Sequence, residues 1–179
     1  MLPRRKFICA AGALAGAALL PTSVLAQDFW SEPRSLWLIR ANTQEEIRQL
    51  YWHNGTLNVP GYSTICHLLR DVRGKQTVQM DLVLLDILRG IQGWFEAYGI
   101  PRPIIINSAY RTRNTNEATE GAARNSFHVQ GRAADIRIPD VPSEYLARLG
   151  MYLSGGGVGF YPSKGFIHID SGRLRFWKG

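Results

Sequence analysis

His128 and Asp135 stand seven positions apart in Ser126-Phe127-His128-Val129-Gln130-Gly131-Arg132-Ala133-Ala134-Asp135, and a further histidine follows late in the chain, in Phe166-Ile167-His168-Ile169-Asp170. If these side chains share a site, the spacing restricts the fold, because a regular helix would hold residues seven apart about 10 Å from one another along its axis. A loop leading into a strand removes that obstacle. Gly131 allows a tight entry, and residues 132–138 alternate apolar and polar types as a strand does, which leaves His128 on the loop and Asp135 within the strand. On a second strand Phe166, His168 and Asp170 point to one side, with Ile167 and Ile169 toward the core. Two histidines and a carboxylate make a three-ligand set for a catalytic zinc, whose fourth tetrahedral position stays open to water. Magnesium and calcium prefer oxygen shells. His53 precedes Asn54-Gly55 in a turn and His67 falls in an apolar helix, so neither joins the set.

The remaining pattern predicts elements of both kinds. Residues 35–40 and 47–52, rich in aromatic and β-branched types, read as a β-hairpin. The Thr43 to Glu46 spacing is also that of a capping box, which would start a helix instead. Helical spacing of Ile65, Leu68 and Leu69 marks residues 61–70. The strongest helix is 80–98, where Leu82, Leu85, Leu88, Ile91, Trp94 with Phe95, and Tyr98 recur every three or four residues and Gly99 stands at the left-handed terminating position. Residues 103–108 form a β-branched strand delivering a loop. A helix over 143–153 is closed by Gly155-Gly156-Gly157, and residues 158–161 and 166–170 form a hairpin around 162–165. Helices lie mostly early and strands late, so the expected class is α+β, with a mainly antiparallel sheet and flanking helices.

Residues 1–26 have the layout of an export signal. Arg4, Arg5 and Lys6 precede an apolar stretch over 7–20, and Val24-Leu25-Ala26 offers the small residues of a cleavage site. The paired arginines resemble a twin-arginine signal, although a general secretory signal also begins with basic residues. Cys9 lacks the setting of a lipid attachment site. Cleavage would leave residues 27–179 as one domain without a membrane span, destined for the periplasm, with its net charge lowered from +7 by three to +4. That charge suits anionic polymers, including the cell wall and nucleic acid. No phosphate loop, lysine-arginine run or aromatic-basic pattern supports nucleic acid as a partner. Cys66 alone would remain, so no intrachain disulfide can form, and its apolar neighbours predict a buried structural thiol.

Ser126-x-His128, Gly131-x-Ala133-x-Asp135 and Phe166-Ile167-His168 together resemble the motifs of the zinc peptidases of the D-alanyl-D-alanine carboxypeptidase group, with the nearest likeness to the murein endopeptidase K branch. Ser108-Ala109-Tyr110-Arg111-Thr112 resembles that group's Ser-Gly-Tyr-Arg-Ser segment with Ala109 replacing the glycine, and residues 156–162 are similar to the branch's glycine-rich strand. The resemblance spans about residues 36–177. It implies a hedgehog/DD-peptidase-like fold, zinc held by His128, Asp135 and His168, and hydrolysis of amide bonds in or between the peptide stems of peptidoglycan. It further implies that Arg111 polarises the scissile carbonyl or holds a substrate carboxylate, and that Ser126 orients substrate.

One position departs from the group's pattern. Many relatives carry a glutamate base three residues before the last metal histidine, where this chain has Gly165. Asp170 remains as the candidate, either as the general base or as an orienting partner of a ligand histidine. The missing glutamate also admits a second reading, a non-catalytic wall-binding or scaffolding domain of the same fold. The basic charge beside a histidine-metal site admits a third, an exported endonuclease.

Overall fold

The computed structural model describes residues 31–179, so the export signal expected over 1–26 lies outside the described residues. Strand β1 (Arg34–Arg40) alternates in burial, with Leu36 and Leu38 inward, and pairs antiparallel with β2 (Glu46–His53). The hairpin reading therefore holds over the helical one. Glu46 opens β2 instead of capping a helix, and its carboxylate accepts a hydrogen bond from Trp37 Nε1 at 2.6 Å. A short β3 (Thr56–Leu57) follows the turn at Asn54 and Gly55.

Helix α1 (Val59–Leu68) begins two residues before the expected start, because Asn58 Oδ1 accepts from Gly61 N (3.0 Å) and Pro60 lies in the first turn, where no N–H is needed. Helix α2 (Leu82–Ala97) is capped by Asp81 and stopped ahead of Gly99, whose φ is +70°. Its inward face is rotated from the expected one. Leu84 is fully buried, whereas Tyr98 is exposed and Trp94 half-buried, the two rings meeting each other at the surface. Strand β4 (Ile104–Ser108) leads to a short α3 (Arg113–Glu117), then to β5 (Ala133–Arg137) and α4 (Ser143–Leu153). Ser154, at φ 53°, ends α4 before the glycines are reached. Strands β6 (Gly157–Tyr161) and β7 (Phe166–Asp170) form the expected hairpin, and β8 (Arg175–Lys178) closes the chain.

These strands make one eight-stranded sheet in the order β3-β2-β1-β4-β5-β7-β6-β8. Only β1 with β4 and β6 with β8 run parallel, so the sheet is mainly antiparallel, and the α+β class is confirmed. Helix α2 packs on β1 and α4, while α4 packs on β6 and β7. Leu84, Leu85, Leu88 and Ile91 meet sheet residues Leu38, Ile106, Ile136, Ile167 and Ile169 in one continuous core. Each such burial is worth about 1.5–3 kcal/mol relative to exposure. Residues 32–179 constitute one compact unit. No helix among the described residues is long and apolar enough to cross a membrane. Cys66 is buried as expected, and burial pushes its thiol pKa upward. With Ile167 and Ile169 committed to the core, the other face of the same strand carries His168 and Asp170.

Candidate metal centre

Strand register assembles the site. Asp135 on β5 lies directly opposite His168 on β7, because the antiparallel pairing aligns Ala133 with Asp170 and Ile136 with Ile167. His128 arrives from a 3₁₀ turn (Phe127–Gln130), a more ordered element than the loop the sequence suggests. Ser126 caps that turn, its Oγ accepting from His128 N at 3.3 Å, and Gly131 ends it at φ +68° before the chain enters β5.

Three atoms converge. His128 Nε2 is 3.1 Å from His168 Nδ1 and 3.2 Å from Asp135 Oδ1, and His168 Nδ1 is 3.0 Å from that same oxygen. All three residues are buried. Ligand atoms on a tetrahedral zinc with bonds of about 2.0–2.1 Å are about 3.3 Å apart, so this triangle has the dimensions of one tetrahedral face. The remaining ring nitrogens are also committed. His128 Nδ1 donates to the Ala109 carbonyl (2.6 Å), and His168 Nε2 donates to Asp170 Oδ2 (2.9 Å). Each ring therefore turns a lone pair toward the shared point, with its tautomer fixed from behind.

The electrostatics differ between the two rings, favouring the neutral form at His128 and the charged form at His168. Burial lowers the His128 pKa, which favours the neutral ring that a metal requires. For Asp135 burial works toward neutrality, but His128 and His168 outweigh it and hold the carboxyl well below its usual range. Burial likewise opposes the charge of Asp170, yet hydrogen bonds from His168 and Arg175 keep it ionised and its pKa depressed. His168 is raised, because its bonds to Asp135 and Asp170 overcome a burial effect of opposite sign.

Arg111 stands three residues beyond β4 and reaches the same place. Its Nη2 pairs with Asp135 Oδ2 (2.5 Å) and its Nε donates to Ser108 Oγ (2.8 Å). Asp71 steadies this segment from outside the sheet, accepting from Gly74 N (3.0 Å), Thr112 N (2.8 Å) and Thr112 Oγ1 (2.8 Å). Burial opposes the Asp71 charge, but those donors bring its pKa down to about 2 from 3.8. A depressed folded-state value adds stability above the unfolded pKa, and that stability is lost as pH falls through the folded one. Asp71→Asn is therefore expected to cost about 1.5–3 kcal/mol at neutral pH. The gap to the wild type should close between pH 3.8 and about 2, as urea unfolding at neutral and acid pH would measure.

A cleft of about 420 Å³ opens over the triangle. Arg111, Ser126, His128, Asp135 and His168 all line it, whereas Asp170 does not. Asp170 has no exposed surface, and its two oxygens take hydrogen bonds from His168, Arg175 and Gly172 N. The sequence profile of the family described as peptidoglycan L,D-endopeptidase MepK matches residues 29–177. The chain belongs to this family. It is 32% identical to the peptidoglycan L,D-endopeptidase MepK of Escherichia coli K12 over 178 residues, covering 97% of this chain and 96% of that relative. It is 33% identical to the probable peptidoglycan L,D-endopeptidase MepK of Haemophilus influenzae, covering 98% and 96%. The likeness to the murein endopeptidase K branch is thus confirmed over nearly the whole length.

Sequence reasoning missed two side chains in this MepK-family site. Arg175 and Trp177, both on β8, line the cleft beside His168. Four residues long, with apolar Phe176 and Trp177 adjacent and a cation at either end, Arg175-Phe176-Trp177-Lys178 shows no polar-apolar alternation, so the strand left little signal in the sequence. The Ala109 carbonyl that fixes His128 belongs to the backbone and left no trace in residue types.

Proposed function

We propose that this chain is a zinc-dependent peptidoglycan hydrolase, exported to the periplasm, that cleaves amide bonds in or between peptide stems during wall remodelling. The observation that carries the reading is the triangle of His128 Nε2, Asp135 Oδ1 and His168 Nδ1, about one tetrahedral face in size and open to a cleft. The relatives named as peptidoglycan L,D-endopeptidases supply the substrate class. The basic and apolar layout of residues 1–26 supports export.

Zinc bound by these three residues supplies a Lewis acid for the amide carbonyl and lowers the pKa of water toward ~7. The chain's own groups do the positioning. Arg111, with Nη2 and Nε engaged with Asp135 and Ser108, lines the cleft and is placed to hold a carbonyl or carboxylate oxygen of the stem there. Ser126 lines the cleft with its hydroxyl beside His128 and orients the peptide there. Asp170, closed off from the cleft with both oxygens occupied, orients His168 and serves no proton transfer to substrate.

Purified protein incubated with cross-linked muropeptides should release uncross-linked products identifiable by mass spectrometry. A chelator should stop the reaction and added zinc should restore it. Binding of muropeptides with no new product would instead establish a wall-binding domain. Degradation of DNA under the same conditions would point to a nuclease.

A further inference from the structure

Two rows of paired residues cross the sheet on the face opposite the core. In the first, Asp135 on β5 faces His168 on β7, His168 faces Gly159 on β6, and Gly159 faces Trp177 on β8. In the second, Ala133 faces Asp170, Asp170 faces Gly157, and Gly157 faces Arg175. Strand β6 therefore places a glycine in each row, between the site on β7 and a large side chain on β8.

The glycines are required by what lies over them. A Cβ on Gly159 would fall 2.5 Å from the Trp177 indole, and one on Gly157 would collide with the Arg175 guanidinium and sit 2.7 Å from Asp170 Oδ2. Real Cβ atoms do not approach that closely, so any other residue at either position would push the β8 side chain off the sheet. With the strand bare, both side chains reach across it. Arg175 grips Asp170 through both oxygens, Nη2 to Oδ2 at 2.6 Å and Nη1 to Oδ1 at 3.0 Å. Its guanidinium also lies against the rings of Phe127 (5.2 Å) and Trp177 (4.9 Å). The Trp177 ring in turn lies 5.2 Å from that of His168, anchored by Nε1 donating to Tyr161 Oη (3.1 Å).

We propose that Arg175, passing over Gly157 and braced by Trp177, is the positioning residue that fixes Asp170 and through it aims His168 Nδ1 at the metal. The inference rests on the zinc reading given above. Arg175 acts on the ring through geometry: the bidentate pair fixes where Asp170 Oδ2 stands, and hence the rotation of the His168 ring bonded to it. Its neighbour Phe176 points to the other side of β8 and is exposed, so it belongs to the same strand but not to this chain of contacts.

The test is zinc affinity, measured by competition with a chromophoric chelator, alongside kcat and KM on muropeptides, for R175M, R175K and F176S. R175M should bind zinc about 10–100-fold more weakly. R175K, which keeps the cation but not the two-point grip, should recover part of that loss. The defect should appear in kcat while KM changes little, and F176S should match the wild type. Wild-type affinity in folded R175M overturns the proposal, as does an equal loss in F176S, which would make β8 merely a structural edge. Should R175M fail to fold, R175K decides alone: a severalfold loss supports the role and wild-type affinity refutes it. A wild-type chain that binds no zinc refutes the zinc reading itself, so the two failures are distinguishable.

Discussion

Replacing His128 or His168 by alanine is expected to abolish both metal retention and amide hydrolysis, with turnover falling to the uncatalysed background. Among the described residues each histidine contributes one of three converging atoms, and a two-ligand remnant would hold a metal poorly against solvent. The two variants should differ in their effect on the protein without metal. His128→Ala removes the side-chain donor to the buried Ala109 carbonyl, at a cost of about 1–3 kcal/mol. His168→Ala removes the partner of Asp170, but Arg175 and the Gly172 N–H continue to hold that carboxylate. Metal analysis after dialysis, product formation from cross-linked muropeptides and urea unfolding of the metal-free forms separate these effects. Hydrolysis surviving either substitution would remove the residue from the site.

How much of this was legible in the sequence depended on whether the deciding contacts were local. The convergence of His128, Asp135 and His168 was readable because His128 and Asp135 flank a glycine turn into an alternating strand, and because Ile167 and Ile169 announce which way His168 must point. The hairpin of β1 with β2 followed from two segments rich in aromatic and β-branched residues, and that of β6 with β7 from the turn residues 162–165 between two runs. Strand β8 did not. It is four residues long, lies at the sheet edge, and carries two cations, so its hydrophobic content falls below what marks a strand. Missing it also hid the environment of Asp170. The sequence places Asp170 on the face of His168, but whether that face meets water is decided by side chains arriving from β8 across two glycines. The inward face of α2 was misplaced for a related reason, since Tyr98 fits the helical period yet lies at the terminus, where no strand covers it.

That closed environment makes Asp170→Asn the substitution that best separates the two roles open to this carboxylate. A general base that reaches the reacting water contributes about 10²–10⁴-fold to rate, and its loss leaves metal binding intact. An orienting partner has the opposite signature, in which metal affinity and turnover fall together by about 10–100-fold. The structure favours the second outcome. Asp170 has no exposed surface, takes its hydrogen bonds from His168, Arg175 and Gly172 N, and lies behind the ring that separates it from the cleft. Asparagine preserves the shape and can still accept one hydrogen bond from His168, but it removes the charge that Arg175 neutralises. Zinc should therefore dissociate more readily from Asp170→Asn, and activity should recover substantially when excess zinc is supplied. Rate loss at wild-type zinc affinity, unrelieved by excess metal, would identify Asp170 as the base after all and would require it to reach the cleft during turnover.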